Sequence, residues 1–263
     1  MREAVFEPLV SVVIPAYHCA DTIAEAVDSA LHQDVSLEII VVSEDADGEI
    51  ARALEKYRNN ESVRLCRVNE NLGASGNRNF GVNVARGKYV AFLDADDAWR
   101  DGKLKKQLDA MAESGDVLSC TARMLMDRDG VCLNRVIPVK KRITYRDLLK
   151  HNSISCSSVL LKREAALEFP MHGEDSHEDY IMWLEILRKY GTATGINEPL
   201  LLYRVSNTGK SGSKLQSARK TFRVYRYMGF GIIKSMVCFC SYAFNGVKKY
   251  CFAKNGGDQT DEA

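Results

Sequence analysis

Tyr89-Val90-Ala91-Phe92-Leu93-Asp94-Ala95-Asp96-Asp97 runs from five apolar residues directly into three carboxylates. An unbroken apolar run of this length, without alternation, reads as a strand buried on both faces. Three further runs of the same kind precede it, at Val10–Ile14, Leu37–Val42 and Val63–Val68, at intervals of about 26 residues. Helical patterns fill the gaps. Ile23, Ala26, Val27, Ala30 and Leu31 share one helix face, with Asp21 placed to cap it, and a second helix follows Gly76 and ends at Gly87. Strands alternating with helices describe an α/β chain with a Rossmann-like, mostly parallel central sheet and flanking helices.

The remainder is read outward from that unit. A polar helix is expected from about 102 to 113, strands at Val117–Met126, Ser155–Leu161 and Pro199–Arg204, and an amphipathic helix at Glu178–Tyr190. The chain has 263 residues, 46% hydrophobic and 27% charged, which excludes a disordered, collagen-like or coiled-coil protein. Its net charge of +1 is a cancellation. Residues 1–198 hold 25 basic and 32 acidic side chains, whereas 199–257 hold 11 basic and no acidic ones. The eight cysteines are scattered, with no Cys-x-x-Cys, and suit reduced thiols better than a disulfide framework or a zinc site. The N-terminal segment lacks the basic-then-apolar pattern of a secretory signal, so a cytoplasmic location is expected.

In open α/β sheets, ligands gather beyond the carboxyl ends of the parallel strands. Strand one leaves into Pro15-Ala16-Tyr17, strand two into Ser43-Glu44-Asp45-Ala46-Asp47, and strand four into the Asp94–Asp97 cluster. Mg²⁺ or Mn²⁺ bridging substrate phosphates relieves repulsion among such acids, because these ions prefer oxygen and take few protein ligands. The plainer reading of Asp97 is a helix cap. The glycine-rich stretch from Asn71 to Asn79 fits neither a Walker loop nor a dinucleotide fingerprint, and its glycines can serve turn geometry alone. Arg78 within it is a candidate to face a diphosphate or stack on a base. His172 and His177 flank four acids, which suits either a separate metal site or an acceptor-side loop.

Five ordered segments together resemble family 2 glycosyltransferases of the GT-A fold, in the branch that builds bacterial surface polysaccharides such as O-antigen and capsule. They are Val10–Tyr17, Glu38–Val42, Asn71-Leu72-Gly73 with Arg78-Asn79, Gly87–Asp97, and Glu178-Asp179-Tyr180 with Trp183-Leu184. The resemblance spans about residues 9–205 and implies a metal-dependent hexosyltransferase that moves a sugar from a UDP-sugar with inversion. The implied sugar is a hexose such as glucose or galactose, or an N-acetylhexosamine. It implies that Asp96 and Asp94 hold Mn²⁺ or Mg²⁺ and that Asp179 is the catalytic base. Pro15, Ala16, Tyr17, Glu44, Asp45, Arg78, Asp94, Ala95 and Arg204 fall to the nucleotide-sugar, and Glu178 and Trp183 to the acceptor. An inverting displacement needs one carboxylate opposite the leaving group to take the acceptor's proton. The plainer role for Asp179 is a cap on its own helix. Strand two departs from the family's Asp-Asp-Gly-Ser ending, which leaves the register of the nucleobase contact open between Glu44 and Asp45. Tyr203-Arg204, with Ser211 and Lys214 beyond, resembles a segment that closes over the donor diphosphate; a strand end followed by a loop is the equal alternative.

This divides the chain into a catalytic unit at 1–205, with a nucleotide-sugar half (1–98) and an acceptor half (99–205), and a basic, apolar helical extension at 206–263. The extension is too interrupted to span a bilayer, since Lys234 splits it. Its aromatic residues, basic flanks and lack of acids suit an anionic membrane surface, here the cytoplasmic face of the inner membrane. Packing on the catalytic unit or on a homo-oligomer partner is the alternative, and no recognition motif supports nucleic acid. An undecaprenyl-diphosphate-linked oligosaccharide acceptor follows from the resemblance together with the tail. Two rival functions stand beside this one. The altered strand-two motif suits a non-catalytic, membrane-attached sugar-nucleotide-binding or scaffold protein. A sugar-nucleotide pyrophosphorylase requires a glycine-rich loop where Tyr17-His18-Cys19-Ala20 stands.

Overall fold

The computed structural model describes residues 7–45, 47–69, 72–173, 175–205 and 214–254. The first half contains β1 (Val10–Ala16), α1 (Ile23–Leu31), β2 (Leu37–Ser43), α2 (Glu49–Ala53), β3 (Val63–Arg67), α3 (Gly73–Val84) and β4 (Tyr89–Phe92). Then come β5 (Ala98–Trp99), α4 (Lys103–Ser114), β6 (Leu118–Met126), β7 (Cys132–Ile137), β8 (Arg142–Thr144) and α5 (Tyr145–Lys150). The rest is β9 (Leu160–Lys162), α6 (Arg163–Glu168), α7 (Glu178–Tyr190), β10 (Thr192–Arg204), α8 (Lys214–Tyr227) and α9 (Ile232–Lys254).

One sheet carries the strands in the order β3-β2-β1-β4-β9-β6-β10-β5, with β7 beside β6 and β8 beside β10. The pairs β3–β2, β2–β1 and β1–β4 are parallel, as the buried apolar runs require. β9 then lies antiparallel to both β4 and β6, and β6 runs parallel to β10. Two reversals restore direction, so β4, β6 and β10 all end at one edge of the sheet. That edge gathers residues from both halves of the chain.

Local chemistry explains the departures from the sequence pattern. Residues 155–161 do not form one strand: Cys156–Ser158 is a 3-10 turn and only Leu160–Lys162 pairs in the sheet. Trp99 Nε1 donates to the Ser157 carbonyl at 2.7 Å, which holds the turn in place. The last strand starts at Thr192, not Pro199, and passes Pro199 through two register shifts. Thr22, not Asp21, occupies the cap of α1, and Asp97 precedes a strand and caps no helix. α3 begins at Gly73, so Gly76 and Gly81 lie inside a helix. A Cβ on Gly81 would sit 2.3 Å from Val13 Cγ1, so this glycine lets α3 press against β1.

Two apolar clusters fill the faces of the sheet, one around Val13, Phe92, Tyr180 and Trp183, the other around Ile14, Ile23, Ile39 and Leu104. Val224 and Tyr225 of α8 are fully buried in the first cluster's surroundings, and Tyr225 donates to the Leu149 carbonyl at 2.9 Å. None of the described cysteines forms a disulfide.

Glu38 is the charge set deepest in the sheet. It is 1% exposed and accepts hydrogen bonds from the Ser11 hydroxyl (2.8 Å), the Arg86 amide (2.7 Å) and Arg86 Nε (3.0 Å). Burial raises its carboxyl, but these donors outweigh it and hold the group below the ordinary glutamate range. Glu38→Gln, which replaces a charged acceptor by a neutral one while Arg86 and Arg64 keep access to water, is expected to cost about 1.5 kcal/mol in urea unfolding. A depressed folded-state value makes this contribution complete above the ordinary glutamate range and lost as pH falls through the depressed one. The wild-type advantage over Glu38→Gln should therefore shrink on acidification.

Candidate active site

The shared strand edge holds a cavity of about 380 Å³ lined by Arg78, Asp94, Arg123, Glu178, Asp179 and Tyr203, among others. A larger depression of about 780 Å³ sits at the other end of the parallel strands, beside Leu9, Gly87 and Lys88. None of the acidic motif residues reaches that second depression, so the chemistry points to the smaller one.

Asp94 leaves β4 at the cavity floor. Its amide donates to Ser157 Oγ at 3.0 Å, and its carboxylate accepts from Arg78 at 2.5 Å. Arg78 comes from the buried face of α3, and its Nε is buried without a hydrogen-bond partner among the described residues. Burial opposes the Arg78 charge, and the negative groups around it, Asp94 and Asp179 included, more than compensate. Asp97 is buried, accepts the Arg204 amide at 3.0 Å, and has its carboxyl pushed well up by burial and then by Asp94. Asp96 is the exposed acid of the three.

Asp179 stands in the first turn of α7, half-buried in the cavity wall, and its Oδ1 accepts the Tyr180 amide at 2.7 Å. Burial raises its carboxyl, Glu178 adds to the rise, and Arg78 and His177 oppose it; the outcome is a carboxyl above the ordinary aspartate range. The turn is fixed from behind, because the Tyr180 hydroxyl donates to the Leu148 carbonyl at 2.5 Å. Trp183 is fully buried against Phe92 and does not line the cavity; it supports α7 from the core. Glu178 does line it.

The remaining nucleotide-side candidates divide. Pro15 and Ala16 close β1 at the same edge and Tyr17 is 59% exposed beyond them, while Ala95 is buried under the Asp94–Asp97 turn. Glu44 Oε1 accepts the Leu72 amide (2.9 Å) and Asn77 Nδ2 (2.8 Å), tying the end of β2 to the start of α3. The Asp45 carboxylate accepts the Asp47 amide (3.0 Å) and the Ile50 amide (2.8 Å), and these bonds hold its carboxyl low. It thereby holds the first turn of α2, whose N-cap residue is Gly48. Arg204 also turns inward: it donates to Glu25 (2.5 Å), to the Asp96 carbonyl (2.7 Å) and to the Arg128 carbonyl (2.8 Å), which staples the acidic turn to the end of β10. Asn71, Glu174 and Ser211 lie outside the described residues, as do the side chains of Lys214 and of 246–254. His172 contacts Glu185 at 3.2 Å, and no cluster of three metal-type ligands occurs among the described residues.

Arg123, Ser217 and Tyr242 are among the cavity residues that the sequence analysis does not single out. Arg123, on β6, has its guanidinium 5.2 Å from the centre of the Tyr203 ring, and its buried Nε has no partner among the described residues. The β6–β10 register aligns Arg123 with Leu201 and so places it diagonal to Tyr203 on one face. Ser217 and Tyr242 reach the wall from α8 and α9. A basic residue in an apolar strand pattern was the only available signal for Arg123.

The carboxylates fit a divalent ion shared with a substrate better than one caged by protein. Asp94 already carries an arginine, Asp96 is the exposed oxygen donor beside it, and a third acidic ligand is missing among the described residues. Mg²⁺ or Mn²⁺ with one or two protein ligands completes its shell from phosphates and water.

A family model described as glycosyl transferase family 2 matches residues 11–167. TuaG of Bacillus subtilis (strain 168), named for a glycosyltransferase of teichuronic acid biosynthesis, is 39% identical over 93% of this chain and 98% of its own. WfaP of Escherichia coli, named as a UDP-Glc:alpha-D-GlcNAc-diphosphoundecaprenol beta-1,3-glucosyltransferase, is 32% identical over 93% of this chain and 96% of its own. Among solved structures, S. aureus TarS 1–349 in complex with UDP-GlcNAc superposes with a TM-score of 0.68 at 15% identity, over 89% of this chain and 71% of that one. Mannosyltransferase PcManGT from Pyrobaculum calidifontis, in complex with GDP-Man and Mn²⁺, gives 0.66 at 17% identity, over 97% and 77%. These two likenesses concern the GT-A fold.

Proposed function

The chain belongs to glycosyl transferase family 2, and from that premise and the geometry of its cavity we propose an inverting transfer of a hexose or N-acetylhexosamine from a UDP-sugar to a hydroxyl of an undecaprenyl-diphosphate-linked oligosaccharide. The observation that carries this reading is the placement of Asp179, a carboxylate with raised basicity, in one cavity with Asp94 and Arg78. The names of the relatives support the donor and the lipid-linked acceptor, and the polysaccharide setting. The reading places the enzyme peripherally on the cytoplasmic face of the inner membrane, with roles divided at residues 98 and 205.

The acceptor hydroxyl forms a bond to the anomeric carbon as the bond to the diphosphate breaks, and its proton passes to Asp179. Arg78 holds Asp94 in place and tempers the basicity of Asp179. Mn²⁺ or Mg²⁺ held by Asp96 and Asp94, when bound, neutralises charge that grows on the departing UDP. Arg204 keeps the acidic turn in register through the Asp96 carbonyl, and Arg123 lends positive charge to the same wall.

One observation favours the rival scaffold reading: Asp45 is occupied within its own loop, and one oxygen of Glu44 is occupied by Leu72 and Asn77 at the start of α3. Calorimetry of UDP with Mn²⁺, followed by transfer assays with a panel of UDP-sugars and a lipid-linked acceptor, separates the two. Catalysis predicts UDP binding that weakens at least about tenfold in chelator or in Asp96→Ala, together with release of UDP that depends on acceptor. Binding without turnover for any donor would establish the scaffold.

A further inference from the structure

Over its described side chains, Ile232–Asn245, helix α9 has two apolar faces, and the described residues cover only one of them. Its inner face packs on the body: Ser235 is buried, Phe239 meets Phe222 edge-on at 6.3 Å, and Tyr242 lies 6.1 Å from the Tyr180 ring. Its outer face exposes Ile232, Ile233 (83%), Met236, Val237 (64%) and Phe244 (72%). Their spacing, i, i+1, i+4, i+5 and i+12, keeps them on one stripe of the helix. Scattered exposed apolar residues need no explanation, but four large ones in two successive turns, with a fifth farther along the same face, do. No described helix is long and apolar enough to cross a membrane.

We infer that α9 lies flat on an anionic lipid surface, with this stripe sunk into the acyl boundary and its opposite face forming part of the active-site wall. The charge around the stripe selects the occupant. Residues 199–257 carry 11 basic and no acidic side chains. A second copy seated on the stripe would bring two such segments together without an intervening acid in either, whereas anionic headgroups complement them. Continuity with the cavity supports the same occupant. Tyr242, on the inner face of the same helix, lines the cavity that holds Asp179. A helix seated in the interface therefore sets the cavity beside the headgroups, where a lipid-linked diphosphate diffuses laterally. This assignment rests on the lipid-linked acceptor proposed above. It also moves the source of membrane affinity from the basic residues alone to an apolar stripe with a basic border.

The test uses the full chain and sedimentation with vesicles of phosphatidylglycerol and phosphatidylethanolamine, with phosphatidylcholine vesicles as the uncharged control. The wild type is expected to sediment with the anionic vesicles, and Ile233→Glu/Val237→Glu to bind them at least about tenfold less. Calorimetry of UDP with Mn²⁺ on the same variant should match the wild type, since both substituted residues point away from the protein. Equal vesicle binding by wild type and variant overturns the assignment, and so does a wild-type dimer that the variant converts to a monomer without any change in vesicle binding. Transfer to a detergent-dispersed acceptor keeps the two proposals apart. Loss of vesicle binding with that transfer intact supports the lipid-facing stripe, whereas vesicle binding without transfer to any acceptor refutes the catalytic reading alone.

Discussion

Asp179→Asn is expected to lower transfer by about 10²–10⁴-fold while UDP still binds in the presence of Mn²⁺. The substitution keeps the size of the side chain and its contact with the Tyr180 amide, but removes a carboxylate in the cavity wall whose surroundings strengthen it as a base. Steady-state rates on a lipid-linked acceptor, with calorimetry of UDP as the control, check the result. The pH profile of the wild type carries the same information. A protonated Asp179 accepts nothing, so activity falls as pH drops through its value, and burial together with Glu178 places that fall above the ordinary aspartate range. An acidic limb at or below that range would mean that some other group limits the reaction.

Arg78→Ala should have the second-largest effect, and it acts on two properties at once. Its guanidinium lies 2.5 Å from Asp94 and is the larger of the two charges, with His177, that keep Asp179 from rising further. Its removal leaves Asp94 without its cation on the cavity floor, an expected cost of about 3 kcal/mol in stability. The same change raises Asp179 and moves the acidic limb of the rate profile to higher pH. Arg78→Lys returns the charge without the planar fork, so it should recover part of the shift and less of the stability. Thermal unfolding and the pH dependence of transfer measure these independently. A variant that lost stability but kept its pH profile would confine Arg78 to a structural role.

The parts of this site that follow a parallel strand were legible from local pattern. Asp94 and Asp96 are placed by the apolar run of β4, and Asp179 by a helix whose observed bounds, Glu178–Tyr190, are those the periodicity predicts. What local pattern missed depends on partners far away in the chain. Ser157 breaks a predicted strand because its hydroxyl receives the Asp94 amide and its carbonyl receives Trp99, groups about 60 residues distant. Arg123 enters the cavity only through the β6–β10 pairing. Arg204 has the composition of a diphosphate ligand, yet Glu25 and three backbone carbonyls claim it. Asp45 follows the same logic at shorter range, since the turn into α2 uses its carboxylate. Acidic and basic residues in a motif thus divide into those that face the cavity and those that hold its walls, and that division is set by tertiary register.

Asp179 acts as the one base of a single displacement, and the stereochemistry of the product follows from that. This role is tested most directly by the configuration of the new glycosidic bond, read from the anomeric coupling constant of the isolated product. With an α-linked UDP-sugar as donor, a single displacement gives a β-linked product. An α-linked product would contradict it, because retention requires either a second displacement or front-face transfer, and neither gives Asp179 the role assigned to it here.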